Sequence, residues 1–301
     1  MSQPTWQQLW LDVPAAAAPR CEAALEKAGA LSVTMTELGD QPVLEPRPGE
    51  KPLWDLTRVT GLFTADISPD TLFARLSPDL EPAWLEKLGH NYLEDEDWVR
   101  KTQADFSAEK LGQRSWVIPA WEETPAGFGH DDIAIRIDPG LAFGTGKHET
   151  TRLCLQWLED HTQPGQHWLD YGCGSGVLAI AALKFGAQKA TGVDIDPQAL
   201  KATRNNAGLN SLDEQKLTCF LPEQTPKQLY DGLVANILAP ILIELAEQLT
   251  AQLKPGARFA LSGVLREQAE AVAAAWCAAG CQIEAFEYLN DWALISGFKP
   301  T

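Results

Sequence analysis

Two hydrophobic patterns follow one another along the chain, one short and mixed, the other a long alternation. In residues 6–13 apolar and polar side chains alternate with the period of a half-buried strand. An alanine-rich helical run follows to Ala28, and Gly29 stands where a helix cap belongs. Residues 30–36 and 56–65 read as strands on either side of the proline-rich turn Glu45-Pro46-Arg47-Pro48-Gly49. Ser68-Pro69-Asp70 supplies an N-cap, a first-turn proline and an acid that complements the helix dipole, opening a helix through Leu76. A strand at 91–93 would complete a small β-α-β-β-α-β domain.

The acidic run Glu94-Asp95-Glu96-Asp97 and a charged helix expected over 98–111 read as a linker. The expected division is an N-terminal domain at 1–95, a linker at 96–115 and a second domain at 116–301. Strands at 115–121 and 133–138 lead into that domain, and from Lys147 helices and strands alternate. The pattern predicts a helix to Asp160, a strand at 167–170, a helix at 177–185 capped by Gly186, and a strand at 190–194. Asp196-Pro197 opens the next helix, and strands follow at 217–221 and 232–237. Ile241, Leu245, Leu249 and Leu253 recur at every fourth position after Pro240, which reads as one helix stopped by Gly256. A strand, a helix and two closing strands at 281–288 and 292–298 finish the chain. Such alternation implies an α/β fold with a doubly wound, mostly parallel sheet, here of seven strands, which holds its ligand at the strands' carboxyl ends.

Composition narrows the classes. The 301 residues are 45% hydrophobic, enough for a sizeable core, and no apolar stretch nears the roughly 20 residues of a membrane span. The start, Met1-Ser2-Gln3-Pro4-Thr5, has neither a basic region nor a signal-peptide core, so a cytoplasmic location is expected, with no membrane partner. A net charge of −17 argues against direct nucleic-acid binding and suits a basic partner, or simply solubility. The six cysteines, Cys21, Cys154, Cys173, Cys219, Cys277 and Cys281, include no C-x-x-C pair; reduced, mostly buried thiols are expected rather than a disulfide framework or a zinc site. Seven of the eleven tryptophans precede residue 130, which suggests a separate core and aromatic surface in the front half.

The chemistry centres on Trp168-Leu169-Asp170-Tyr171-Gly172-Cys173-Gly174-Ser175-Gly176-Val177-Leu178. A short apolar run ends in an acid, three glycines follow at alternate positions, and a helical pattern begins. Glycine is needed where the backbone takes unusual dihedrals and lets a ligand approach, and a helix start offers free amide donors. Roughly twenty residues on, Asp194 ends the next strand, where a carboxylate would grip ribose hydroxyls. The spacing G-x-G-x-G, with Asp170 on the strand before it, resembles the S-adenosylmethionine site of class I methyltransferases more than the G-x-G-x-x-G of an NAD site. Asp170 and Gly174 are therefore candidate cofactor contacts.

Two further segments converge on the same sheet edge. Residues 138–151 carry Phe143-Gly144-Thr145-Gly146-Lys147-His148 and Thr150-Thr151. A phosphate loop is excluded, because Leu141 stands where its first glycine belongs and His148 where its hydroxyl belongs. The zinc motif H-E-x-x-H fails at Arg152, which favours His148 as a loop-ordering or capping residue over a metal ligand or base. The glycine hinges, the aromatic ring and the hydroxyls suit a cover over a cofactor, with Phe143, Gly144 and Thr145 as candidate contacts. Asn236, in Val234-Ala235-Asn236-Ile237-Leu238-Ala239-Pro240, is neutral and both donates and accepts, so it could touch the cofactor or orient an amine. Asn236 is the candidate catalytic residue; its other reading is a helix cap. The DNA-adenine and glutamine methyltransferases carry N-P-P-Y there, and Ile237 and Leu238 in place of the prolines favour an aliphatic amine over a flipped base. Residues 261–265 are expected to line a substrate channel. No metal cluster and no Cys-His or Ser-His-Asp set is apparent.

Residues 138–151, 170–176, 193–197, 235–238 and 261–265 together resemble the bacterial methyltransferases of large-subunit ribosomal protein eleven. The resemblance covers nearly the whole chain, including Leu53-Trp54. It implies S-adenosyl-L-methionine as cofactor, contacts at Thr151, Gly172, Asp194 and Asn236, and repeated methylation of lysine and N-terminal amines on that ribosomal protein, held by the N-terminal domain. Lys101, Thr102, Ser107 and Ala108 depart from the family's linker pattern, which bears on domain orientation. Two rivals stand beside it: a noncatalytic S-adenosylmethionine-binding ribosome-associated module, and an NAD-dependent oxidoreductase.

Overall fold

The structure is a computed structural model that describes residues 6–38, 55–93, 106–138 and 148–301. The turn expected at 45–49, Leu53-Trp54 and the acidic run at 94–97 lie outside the described residues. The chain divides into two compact units, Met1–Gln103 and Ala104–Thr301.

In the first unit, strand β1 (Trp6–Pro14) leads to helix α1 (Ala18–Ala28), β2 (Ser32–Glu37), β3 (Leu56–Thr64), α2 (Pro69–Leu76), the single-turn α3 (Pro82–Leu85) and β4 (Gly89–Leu93). The sheet order is β2-β3-β1-β4 and all its pairs are antiparallel. The alternation read in β1 puts Leu9, Leu11 and Val13 against Cys21, Ala24 and Leu25 of α1 and Leu72 and Leu76 of α2. Both helix ends use the signals in the sequence: Gly29 closes α1 at φ 103°, and the Ser68 hydroxyl accepts from the Thr71 amide at 3.2 Å.

The second unit begins with β5 (Glu109–Lys110), β6 (Ser115–Pro119) and β7 (Ile133–Ile137), a small sheet in which β5 is antiparallel and β7 parallel to β6. The helix expected over 98–111 is not found in its described part, since Glu109 pairs with Val117 and Lys110 with Trp116 as a strand. Strand pairing and an ion pair from Arg152 to Glu109 outweigh the charged pattern there.

The main sheet follows from α4 (Glu149–His161), β8 (His167–Tyr171), α5 (Val177–Lys184), β9 (Lys189–Val193), α6 (Pro197–Leu209), β10 (Leu217–Phe220) and β11 (Tyr230–Asn236). It is completed by α7 (Ala239–Glu244), α8 (Ala246–Ala251), β12 (Leu253–Leu265), α9 (Ala269–Ala278), β13 (Gln282–Leu289) and β14 (Trp292–Phe298). Among the described residues it has seven strands in the order β10-β9-β8-β11-β12-β14-β13. Every neighbouring pair is parallel except those of β14, which runs against both β12 and β13. Successive residues of one strand enter opposite cores: Trp168 and Val234 join α4 and α5, whereas Leu169, Leu233 and Phe259 join α7 to α9. Burial on both faces is why these strands carry apolar residues at consecutive positions rather than in alternation.

The single helix expected from Pro240 to Gly256 is corrected. The chain breaks at Leu245 (φ −89°, ψ 1°) into α7 and α8, and Leu253 and Gly256 belong to β12. A repeat of four residues advances about 400° around an α-helix, so each step drifts about 40°. Ile241 is accordingly 41% exposed while Leu249 and Leu253 are buried. One stripe could not have served all four.

Trp276 of α9 anchors the second core: it is fully buried, tilts against Phe259 with ring centroids 4.6 Å apart, and donates from its indole nitrogen to the Leu242 carbonyl at 3.0 Å. Trp276→Ala should lower unfolding free energy by about 3–5 kcal/mol, and Trp276→Phe by less, as read from urea denaturation midpoints.

Candidate active site

Parallel strands end together, so β8, β9, β11 and β12 deliver their carboxyl ends to one edge of the sheet. After Tyr171 the chain enters the glycine turn with Gly172, Gly174 and Gly176 at φ 77°, 52° and 81°. These are left-handed values that only glycine adopts readily. At Gly172 a side chain is doubly refused, because a Cβ would lie 2.2 Å from Cγ2 of Ile237. The Gly172 and Cys173 amides both donate to the Val193 carbonyl, at 2.7 and 3.0 Å, which ties the turn to the end of β9.

Asp194 strengthens that tie. One carboxylate oxygen accepts from the Gly174 amide and the other from the Asp196 amide, each at 2.9 Å. The acid read as a ribose ligand is thus placed on the glycine turn itself. Cys173, within the turn, is buried 3.4 Å from the Thr203 hydroxyl, and burial pushes its thiol well above the usual range. A spacer suits it; a nucleophile would need a thiolate.

Asp170 is the least ordinary group here. It is 1% exposed; Oδ2 accepts from the Ala179 amide in the first turn of α5 at 2.9 Å, and Oδ1 has no hydrogen-bond partner among the described residues. Burial pushes its carboxyl up to about 7, opposed by the Ala179 amide and aided by the Asp194 charge.

Asn236 ends β11, and its Nδ2 donates to the Thr151 hydroxyl at 3.4 Å, so two of the expected site residues meet. Thr151 is buried in the first turn of α4, whose N-cap is His148: Nδ1 accepts from the Thr150 amide at 3.3 Å. The ring also stands edge-on to Trp292 with centroids 4.7 Å apart, and Asn290 donates to Glu149 at 3.2 Å. His148 is a cap, one of the two roles its position suggested. Phe143, Gly144, Thr145, Lys101 and Thr102 lie outside the described residues; the Ala108 amide donates to Glu122 at 2.7 Å.

Residues 261–265 do not line a channel with their side chains. Leu261, Ser262 and Val264 are fully buried and Leu265 nearly so, because β12 is covered on both faces. The segment instead props up Asn236: the Ile237 amide donates to the Ser262 carbonyl at 3.1 Å, and a Cβ on Gly263 would lie 2.6 Å from the Ile237 carbonyl oxygen.

Two residues of α6, Thr203 and Asn206, and its C-cap Asn210 were not singled out from the sequence. Thr203 donates to the Gly174 carbonyl and Asn206 to the Ser175 carbonyl, both at 2.9 Å. Asn206 Oδ1 accepts from the Asp138 amide at 2.8 Å, and Asn210 pairs with both backbone groups of Arg136, at 2.9 and 2.7 Å. The available signal was a polar row at 203, 206 and 210 on the face that also carries Ala199, Leu200 and Ala207.

These groups fit S-adenosylmethionine: an acid just past the end of β9, a turn whose three glycines carry no side chain, and a buried carboxylate oxygen with capacity to spare. The strand order, the lone antiparallel strand and this turn mark a class I S-adenosylmethionine-dependent methyltransferase. The family model described as ribosomal protein L11 methyltransferase (PrmA) matches residues 5–300. Ribosomal protein L11 methyltransferase of Pseudomonas putida (strain W619) is 44% identical over 292 residues, covering 97% of this chain and 98% of its own. That of Pseudomonas aeruginosa (strain LESB58) is 43% identical over 296 residues, with 97% and 98% covered. The crystal structure of ribosomal protein L11 methylase from Lactobacillus delbrueckii subsp. bulgaricus matches with a TM-score of 0.60 at 31% identity, over 65% of this chain and 100% of that one. The chain belongs to the ribosomal protein L11 methyltransferase family.

A carboxyl raised to about 7 in the folded state and about 3.9 when unfolded favours folding most at low pH and loses that contribution as pH rises. Without cofactor, wild-type protein should lose stability relative to Asp170→Asn between about pH 4 and 7. Denaturant melts of both proteins across that window check the sign, and a constant difference would count against it.

Proposed function

We propose that this protein transfers methyl groups from S-adenosylmethionine to lysine side chains and the N-terminal amine of ribosomal protein L11. The observation that carries the reading is Asn236 beside Thr151 at the sheet edge that also bears the glycine turn. Family membership supports the substrate, and a charge of −17 suits a basic partner. The first unit would hold the substrate protein. The cytoplasm is the compartment inferred, and among the described residues no helix is long and apolar enough to cross a membrane.

When bound, S-adenosylmethionine supplies a methyl group on a positively charged sulfur, already activated for transfer. The chain's own task is then positioning and deprotonation control. Asp194 and the glycine turn would hold the nucleoside and methionine ends. Because Asn236 Nδ2 is engaged by Thr151, Oδ1 is the atom left to accept from an amine N–H. A lysine amine has a pKa of about 10.4 and must shed a proton before attack, which desolvation beside Ile237 and Leu238 promotes. An α-amine, at about 7.7–8.0, needs less help. With the amine held at Asn236, its lone pair would accept the methyl group as the sulfonium gives it up, and the proton shed by the amine would leave to solvent.

Asn236→Ala should lower kcat/KM for methyl transfer to L11 by about 100-fold. Labelled cofactor and total ribosomal proteins, read by mass spectrometry, give the measurement; undiminished transfer would remove Asn236 from the mechanism. Label on L11 also excludes the noncatalytic module, and calorimetry with NADH tests the oxidoreductase reading.

A further inference from the structure

We propose that Thr203 and Asn206 are positioning residues that shape the cofactor turn from behind. The proposal rests on the reading of that turn as the S-adenosylmethionine site. Left-handed glycines set few limits on a backbone, so something besides the turn's own sequence must select one conformation. The carbonyls of Gly174 and Ser175 are both drawn onto α6, by the Thr203 hydroxyl and the Asn206 amide, each at 2.9 Å. A trans peptide directs its N–H opposite to its carbonyl, so anchoring Gly174 fixes the direction of the Ser175 amide. Thr203 also bars a side chain at Gly176, whose Cβ would lie 2.6 Å from the threonine methyl.

Both side chains are fully buried, and neither spends its hydrogen bonds on its own helix. Asn206 is bifunctional: its Oδ1 accepts from the Asp138 amide, one residue past the end of β7. One amide group therefore joins the glycine turn to the chain leaving the small sheet. Asn210, the C-cap of α6 about one turn beyond Asn206, provides an internal control. It is nearly as buried, holds Arg136 of the same segment with two hydrogen bonds and donates to the Asn206 carbonyl at 2.8 Å, yet makes no hydrogen bond to the glycine turn. A role confined to folding would belong to Asn206 and Asn210 alike; a positioning role belongs to Thr203 and Asn206.

Calorimetric titration of the full chain with S-adenosylhomocysteine separates these. Thr203→Val, nearly isosteric, and Asn206→Asp, which turns a carboxylate oxygen toward the Ser175 carbonyl, should each weaken binding by about tenfold, the scale of one buried hydrogen bond. Thr203→Ser, which keeps the hydroxyl, should bind like wild type. Asn210→Asp should bind within about twofold of wild type even though its melting temperature falls. In turnover, the Thr203→Val loss should appear in KM for S-adenosylmethionine and disappear from kcat at saturation. Thr203→Val binding like wild type, or Asn210→Asp weakening as much as Thr203→Val, would overturn the proposal. Wild-type protein that does not bind S-adenosylhomocysteine at all would overturn the reading of the turn itself, a distinct result visible before any variant is made.

Discussion

The Val193 carbonyl, accepting at once from the Gly172 and Cys173 amides, is the contact on which the site depends. It fixes the crossing between the end of β8 and the end of β9, and therefore the distance between the glycine turn and Asp194. A turn of three left-handed glycines has large conformational freedom and loses most of it on folding. That loss is offset from three sides. β9 supplies Val193 and Asp194, α6 supplies Thr203 and Asn206, and α5 begins directly from Gly176. The surface left for a ligand is made of backbone whose orientation other elements decide.

The end of β11 is built differently. Asn236 is the last residue of a strand buried on both faces, so its position is set by the packing of Leu233, Val234 and Ala235. Its orientation comes from Thr151 on the far side of the chain in sequence, and its support comes from β12 through Ser262 and Gly263. The hairpin of β13 and β14 closes the arrangement, bringing Trp292 and Asn290 to the N-terminus of α4. A rigid strand end beside a strapped turn would suit the in-line transfer proposed above, where small misplacement is expensive in rate.

Much of this was written locally and therefore legible. The β–α alternation, the G-x-G-x-G turn, the acid at 194, the asparagine at 236 and the capping histidine each announce themselves within a few residues, because turn dihedrals, caps and strand ends are local demands. What escaped was tertiary. Thr203, Asn206 and Asn210 look like ordinary polar positions of an amphipathic helix until β7 and the glycine turn are laid against them. The break at Leu245 and the strand at Glu109 follow from packing and pairing partners far away in sequence, which a periodicity cannot display.

Two aspartates show how stability and function divide within the second unit. Asp132 accepts from the Gly129 amide, the Trp116 indole and Lys110, at 2.8, 2.9 and 2.8 Å, and its carboxyl falls to about 2, with the Gly129 amide the largest cause. It pins a loop, and its charge is fully answered. Asp170 has one backbone donor, one oxygen without a partner and a carboxyl near 7. Packing alone would favour an asparagine or an apolar residue there, since an uncompensated buried acid destabilises the fold. A buried group held in an unfavourable state marks a place where a fold can give up stability for function. The turn therefore joins two opposite treatments of polar groups: α6 answers its carbonyls, whereas Asp170, two residues before Gly172, keeps one buried oxygen unanswered.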